Sequence, residues 1–160
     1  MTTRLDVMMA GNATLRRLTL AGRIDDSAPL ASLVDTVKAT DVVIDTGGVV
    51  FVNSIGVREW MRFLRGLAAT GSRIRLENVA EVLVTQMNLI PDLRSGVTTV
   101  SVQAPYGCDK CGAEVSCLID IQQHGAALRA LQPPTFTCPE CGGALTLADY
   151  PDRYFAFLRA

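Results

Sequence analysis

Residues 41–67 read DVVIDTGGVVFVNSIGVREWMRFLRGL, and the change of period inside them decides the fold. Asp41–Val52 is mostly apolar and rich in Val and Ile, the composition of a central strand buried on both faces of a sheet. Asn53 and Ser54 are residues of helix-capping type, and after them Val57, Trp60, Met61, Leu64, Leu67 and Ala68 recur at helical spacing. Arg58, Glu59, Arg62 and Arg65 fall on the other side, so the helix is amphipathic. One polar turn joins a buried strand to an exposed helix end.

Outward from this unit, Leu5–Met9 and Thr14–Leu20 flank the turn signal Gly11-Asn12 and predict an opening β-hairpin. Gly22–Pro29 is a polar loop, and Leu30, Leu33, Val34 and Val37 predict a helix over about Ala28–Ala39. Gly71 suits a left-handed cap after the amphipathic helix. Ile74, Leu76 and Val79 supply a further strand, Ala80–Met87 a short helix, and Gly96–Ala104 a last strand that Pro105 should break. Strands alternating with helices imply parallel pairing through right-handed crossovers.

The strand carrying Asp45, followed by NSIGVREW and an amphipathic helix, resembles the STAS family of anti-sigma-factor antagonists. That family has Asp-Ser-Ser-Gly or Asp-Ser-Thr-Gly at this turn, and its first hydroxyl residue is phosphorylated by a partner kinase. Ser54 and Gly56 match, while Asn53 replaces the aspartate and Ile55 the second hydroxyl residue. The resemblance covers roughly residues 1–105 and implies a β-β-α-β-α-β-α-β order, a mixed α/β sheet with helices. It also implies a regulatory, non-enzymatic protein-binding module that docks a serine-kinase-like or histidine-kinase-like anti-sigma partner. Asn53, Ser54, Ile55, Gly56, Arg58, Glu59 and Arg62 would form the docking end, with Ser54 as phosphosite. STAS domains commonly close with a further helix; here a cysteine segment follows at once. The expected division is residues 1–104 and residues 105–160.

With 160 residues the chain can bury one ordinary core plus a small appendage. A net charge of −1 supplies no global field for nucleic acid, so no nucleic-acid partner is expected. The start MTTRLDVMMAGNATLRRL lacks a signal peptide's apolar stretch, and no window reaches the length of a membrane span, so a cytoplasmic location is expected.

All 5 cysteines fall between positions 108 and 141. Cys108-Asp-Lys-Cys111 and Cys138-Pro-Glu-Cys141 are C-x2-C knuckles, and two such knuckles brought together offer four thiolates in a tetrahedron, which suits Zn²⁺. Iron fits the same donors. Four thiolates close the coordination sphere, so the metal is expected to hold a small zinc ribbon together and not to catalyse. Gly125–Pro134 between the knuckles reads as a protruding arm, His124 as a loop residue outside the ligand set, and Cys117 as a small core residue in the run Val115–Ile121.

The end of the chain, DYPDRYFAFLRA, is aromatic-rich in a chain poor in aromatics, and should dock back as a short helix. No Ser-His-Asp set and no phosphate loop is recognisable, so no enzyme is expected. Two other classes stay open: a constitutive scaffold subunit using the docking face and the ribbon as two interfaces, and a thiol or metal redox sensor.

Overall fold

The structure, a computed structural model, describes residues 4–159; residues 1–3 and 160, the extreme ends of the two expected units, lie outside the described residues. Strands β1 (Leu5–Gly11), β2 (Leu15–Ile24), β3 (Asp41–Val52), β4 (Arg73–Glu77) and β5 (Val97–Thr99) form one sheet in that order. β1 and β2 are antiparallel, and all later pairs are parallel. Helix α1 (Val34–Val37) connects β2 to β3, α2 (Ser54–Ala69) connects β3 to β4, and α3 (Glu81–Leu89) connects β4 to β5. The hairpin, the mixed sheet and the alternating helices are the order expected from the sequence.

The alternation of β3 differs from the expectation. Val42, Ile44 and Thr46 are buried on one face, where Ile44 joins a core with Trp60, Phe63 and Leu67 of α2 and Leu83 and Met87 of α3. The opposite face carries Asp41, Val43 and Asp45, so β3 is not sandwiched between two helical layers. Two ion pairs line this second face, Arg17–Glu77 at 2.7 Å from β2 across β3 to β4 and Arg73–Asp41 at 2.9 Å between β4 and β3, and Val43 is 4% exposed. Long arginine stems on a sheet can cover apolar surface while their charged heads stay wet. α1 is also shorter than expected: a 3-10 turn at Ala31–Leu33 precedes it, and Lys38 leaves helical geometry at ψ 138°. Val34, Thr36 and Val37 are β-branched and add little helix propensity of their own.

A second sheet follows, in the order β7 (Glu114–Asp120), β6 (Ser101–Cys108), β9 (Ala144–Leu147), β8 (Phe136–Thr137). The single strand expected over Gly96–Ala104 is divided at Val100 between β5 of the first sheet and β6 of the second, and β6 runs through Pro105: Pro105 pairs with Ser116, and its carbonyl accepts from the Ala148 N–H. N–H and C=O of one residue point the same way in an antiparallel strand, so the missing N–H faces the space beyond the end of β9, where no ladder bond is due.

Gly125–Pro134 is not an arm. Helix α4 (Ile121–Arg129) takes in its first half, capped by Asp120, whose side chain accepts from the Gln123 N–H, with Leu128 fully buried. His124 therefore sits in a helix and not in a turn.

The tail docks as expected. Helix α5 (Pro151–Tyr154) and a following 3-10 turn bury Tyr154, Phe155 and Phe157. Asn88 of α3 clamps this tail with both ends of its amide, donating to the Tyr154 carbonyl and accepting from the Phe157 N–H, each at 2.8 Å. The Tyr154 hydroxyl donates to the Gln103 carbonyl at 2.6 Å, which ties the tail to β6. One continuous core runs from Leu18 in β2 to Phe157 in the tail.

Candidate functional site

The β3–α2 turn is built on two backbone constraints. Asn53 has extended φ/ψ, and its side-chain oxygen accepts from the Gly56 N–H at 2.8 Å, so Asn53 is the N-cap and Ser54 the first helical residue. Asparagine caps a helix as well as aspartate does. Gly56 faces the end of β2: a Cβ there would overlap the carbonyl of Ile24 and crowd the Asp25 nitrogen, both backbone. The Asn53 N–H donates to that same Ile24 carbonyl at 3.4 Å. The glycine thus lets the helix end lie directly on the β2 exit.

These contacts leave Ser54, Ile55 and Arg58 exposed, Asn53 and Glu59 half-buried, Gly56 buried and Arg62 exposed. The seven residues lie together on the first turns of α2. Ile55 is 46% exposed, an apolar side chain beside the serine. Glu59 pairs with Arg62 at 3.1 Å and Arg65 with Asp92 at 3.6 Å, while Arg58 has no acidic partner among the described residues. Behind the turn, Asp25 accepts from the Ser27 hydroxyl and amide and from Arg23, and these bonds hold its carboxyl below its usual range. Arg23 in turn lies 3.7 Å over the Phe51 ring, fixing the loop after β2 against the end of β3.

The cysteine knuckles close a second site. All four Sγ atoms of Cys108, Cys111, Cys138 and Cys141 lie within 4.8 Å of one another, with Cys108–Cys141 at 3.4 Å and Cys111–Cys138 at 3.6 Å. Tetrahedral thiolates about 2.3 Å from a zinc-sized ion stand ~3.8 Å apart, whereas a disulfide needs about 2.0 Å. The cysteines are free thiols, and their spacing fits a metal ion.

The two knuckles share one backbone plan. Gly112 and Gly142 follow the second cysteine of each at φ +78° and +74°, and their N–H groups donate to the Cys108 and Cys138 carbonyls. A non-glycine residue would be strained at both places. Cys-x-x-Cys-Gly, occurring twice, is a stronger signal than the cysteine spacing alone, and Gly112 is the residue that spacing misses. The Cys111 N–H is the chief cause that brings the Cys108 thiol down to about 7. The Ala113 N–H favours a thiolate at Cys111, but the Cys141 thiol, burial, and the thiols of Cys138 and Cys108 together outweigh it and push Cys111 up to about 12. A metal ion takes these groups as thiolates, so its binding would release protons.

Cys117 is buried in β7 outside the knuckles, and burial pushes its thiol up, as suits a core residue. Among the described residues no helix is long and apolar enough to cross a membrane.

No family model matches the chain, and no curated protein matches it. Among solved structures it is similar to the anti-sigma factor antagonist SpoIIAA in its unphosphorylated form, at 15% identity over 59% of this chain and 87% of that one, with a TM-score of 0.45.

Proposed function

We propose that the chain is a regulatory protein-binding module of the STAS type, in which residues 1–104 carry the docking end and residues 105–160 carry a structural zinc ribbon and the tail. The observation that carries this reading is Ser54 exposed at the start of α2 with its cap made by another residue. A phosphate there would add about −1.5 to −2 charges where the helix dipole favours them, and it would not displace the cap. Asn53 keeps the capping bond without setting a carboxylate next to that phosphate. Phosphorylation would then change the sign of the docking surface and leave the fold in place. The partner is a cytoplasmic anti-sigma kinase-like protein. Zinc at the four thiolates holds the knuckles and takes no part in chemistry, because no coordination position stays open.

The test is capture of partners from the native host with intact-mass and phosphosite analysis of the bait. Ser54→Asp should leave the melting temperature within a few degrees and change affinity for the captured partner by roughly tenfold, a coupling of about 1–3 kcal/mol. Equal affinities of wild type, Ser54→Ala and Ser54→Asp would instead favour a constitutive scaffold, the reading that exposed Ile55 supports, since an apolar side chain suits a permanent contact.

If the arginine stripe steers an acidic partner, Arg58→Glu with Arg62→Glu should slow association mainly at low salt. An on-rate unchanged in low-salt buffer would make the stripe a solvated face. Arg58 should carry most of the effect, because Arg62 already pairs with Glu59.

A further inference from the structure

The edges of the two sheets are unequal. β5 has 3 residues and β8 has 2, too short to template another strand. β7 is guarded by Glu114 and Asp120 at its ends, and its Ser116 is tied to Glu81 at 2.6 Å. β1, LDVMMAG, has 7 residues, no proline, no lysine and one charge, Asp6, and from Met8 to Gly11 it is exposed. Natural sheets blunt long edges with charge, proline or a bulge, and β1 has almost none of these.

The β1–β2 ladder shows which groups are free. Arg23 donates to the Arg4 carbonyl and Asn12 to the Leu15 carbonyl, so the even-numbered residues of β1 are those bonded to β2. Leu5, Val7 and Met9 then aim their N–H and C=O groups away from the sheet, while at Gly11, at φ +95°, the carbonyl already accepts from the Arg16 guanidinium at 3.4 Å. They also lie on its core-facing side, because Val7 pairs with Leu20 and Met9 with Leu18, both fully buried.

We propose that β1 is a self-association edge, on which a second copy of this chain pairs antiparallel through its own β1 with Met8 on the two-fold axis. In this register Val7 faces Met9 of the second copy, and Leu5 faces Gly11. About six ladder bonds satisfy the groups of Leu5, Val7 and Met9 that face the junction, apart from the Leu5 N–H opposite the Gly11 carbonyl, which Arg16 already holds. The core-facing row reads Leu20, Val7, then Met9 and Leu18 of the second copy, so the apolar core continues across the junction and covers Met9, which is 42% exposed in one chain. On the outer face Met8, 71% exposed, meets its own copy. Asp6 falls opposite Ala10, whose other neighbour is Arg17, so the only charge on the strand enters a row that ends in a cation and meets no like charge. Pairing by one residue more or less puts even-numbered residues, already bonded, at the junction.

Sedimentation equilibrium of the full chain, with Met8→Cys and Ala10→Cys variants under mild oxidation, tests this. Wild type should show a monomer–dimer equilibrium, and Met9→Lys should raise its dissociation constant at least ~10-fold without changing the melting temperature or the metal content. The Met8→Cys variant should form a disulfide between chains at the substituted position, because the two Cα atoms there stand about 4.5 Å apart in this register, whereas position 10 stands ~14 Å from its copy and should not link. A chain that stays monomeric to about 1 mM, a dimer indifferent to Met9→Lys, or linking equally efficient at positions 8 and 10 would each overturn the proposal. Monomeric wild type would also return the edge to solvent or to a strand from another protein.

Discussion

Chain carrying Cys138→Ser with Cys141→Ser should lose the zinc proposed for the four thiolates, from one per chain to near none, and should become open to trypsin at Lys110. Lys110 lies inside the first knuckle, so cleavage there reports directly on that turn. The reason is energetic. β8 has 2 residues and β9 has 4, and Phe136–Leu147 contains few large buried side chains besides Leu145, too little apolar surface to offset the entropy of ordering two knuckles. Structural zinc binding supplies on the order of 10 kcal/mol at neutral pH, and removing half the ligands removes most of it. The loss is not confined to the tip. Cys108 and Cys138, 4% and 2% exposed, belong to the continuous core, next to Tyr106, whose hydroxyl donates to the Pro134 carbonyl at 2.7 Å. A destabilisation of about 3 kcal/mol or more, ~6–12 °C in melting temperature for a chain of this size, is the expected result. Full occupancy by zinc in the double variant, or four freely titrating thiols in metal-loaded wild type, would defeat the assignment of the site.

The parts of this fold legible in the sequence are those in which one short segment contains its own reason. Asp41–Leu67 announces strand, cap and helix through a change of hydrophobic period. The knuckles announce themselves through cysteine spacing. The misread parts depend on partners distant in sequence. Val43 looks like a residue between two layers, yet its neighbours across the sheet are Arg17 on β2, ion-paired to Glu77, and Arg75 on β4, which no local pattern encodes. Pro105 is a strand breaker only where its N–H is needed, and the position of β9 removes that need. Gln122 to Gly125 looks like a turn because glycine follows a polar run. In the structure Asp120 caps a helix there, and Ile121 and Leu128, seven positions apart, bury one face of it. That spacing is visible in the sequence, but the apolar stripe is too thin to outweigh the glycine. The start of α2 is legible as a helix start, while either Asn53 or Ser54 could cap it; only the Asn53–Gly56 bond decides between them.

Gly56→Ala is the single substitution expected to damage the proposed docking end most. In an ordinary helix this change gains about 1 kcal/mol of propensity. Here the new methyl would overlap the Ile24 carbonyl and press on the Asp25 nitrogen, and backbone cannot rotate aside as a side chain can. Overpacking against a fixed wall costs about 1–3 kcal/mol or more, so the gain is exceeded and a net loss of about 2 kcal/mol is expected. The first turn of α2 must then lift from β2, which breaks the Asn53 N–H bond to Ile24 and moves Ser54 with its cap. Partner affinity should fall by roughly tenfold, more than the stability loss alone would produce while the chain remains folded. Gly66→Ala is the control on the same helix: the nearest atoms its methyl would meet belong to the Val34 side chain, Cγ2 at 2.8 Å, and not to a fixed backbone. That variant should melt within a few degrees of wild type and bind normally. Equal melting curves and equal affinities for the two variants would show that α2 does not need its close approach to β2, and that Gly56 marks the turn without shaping it.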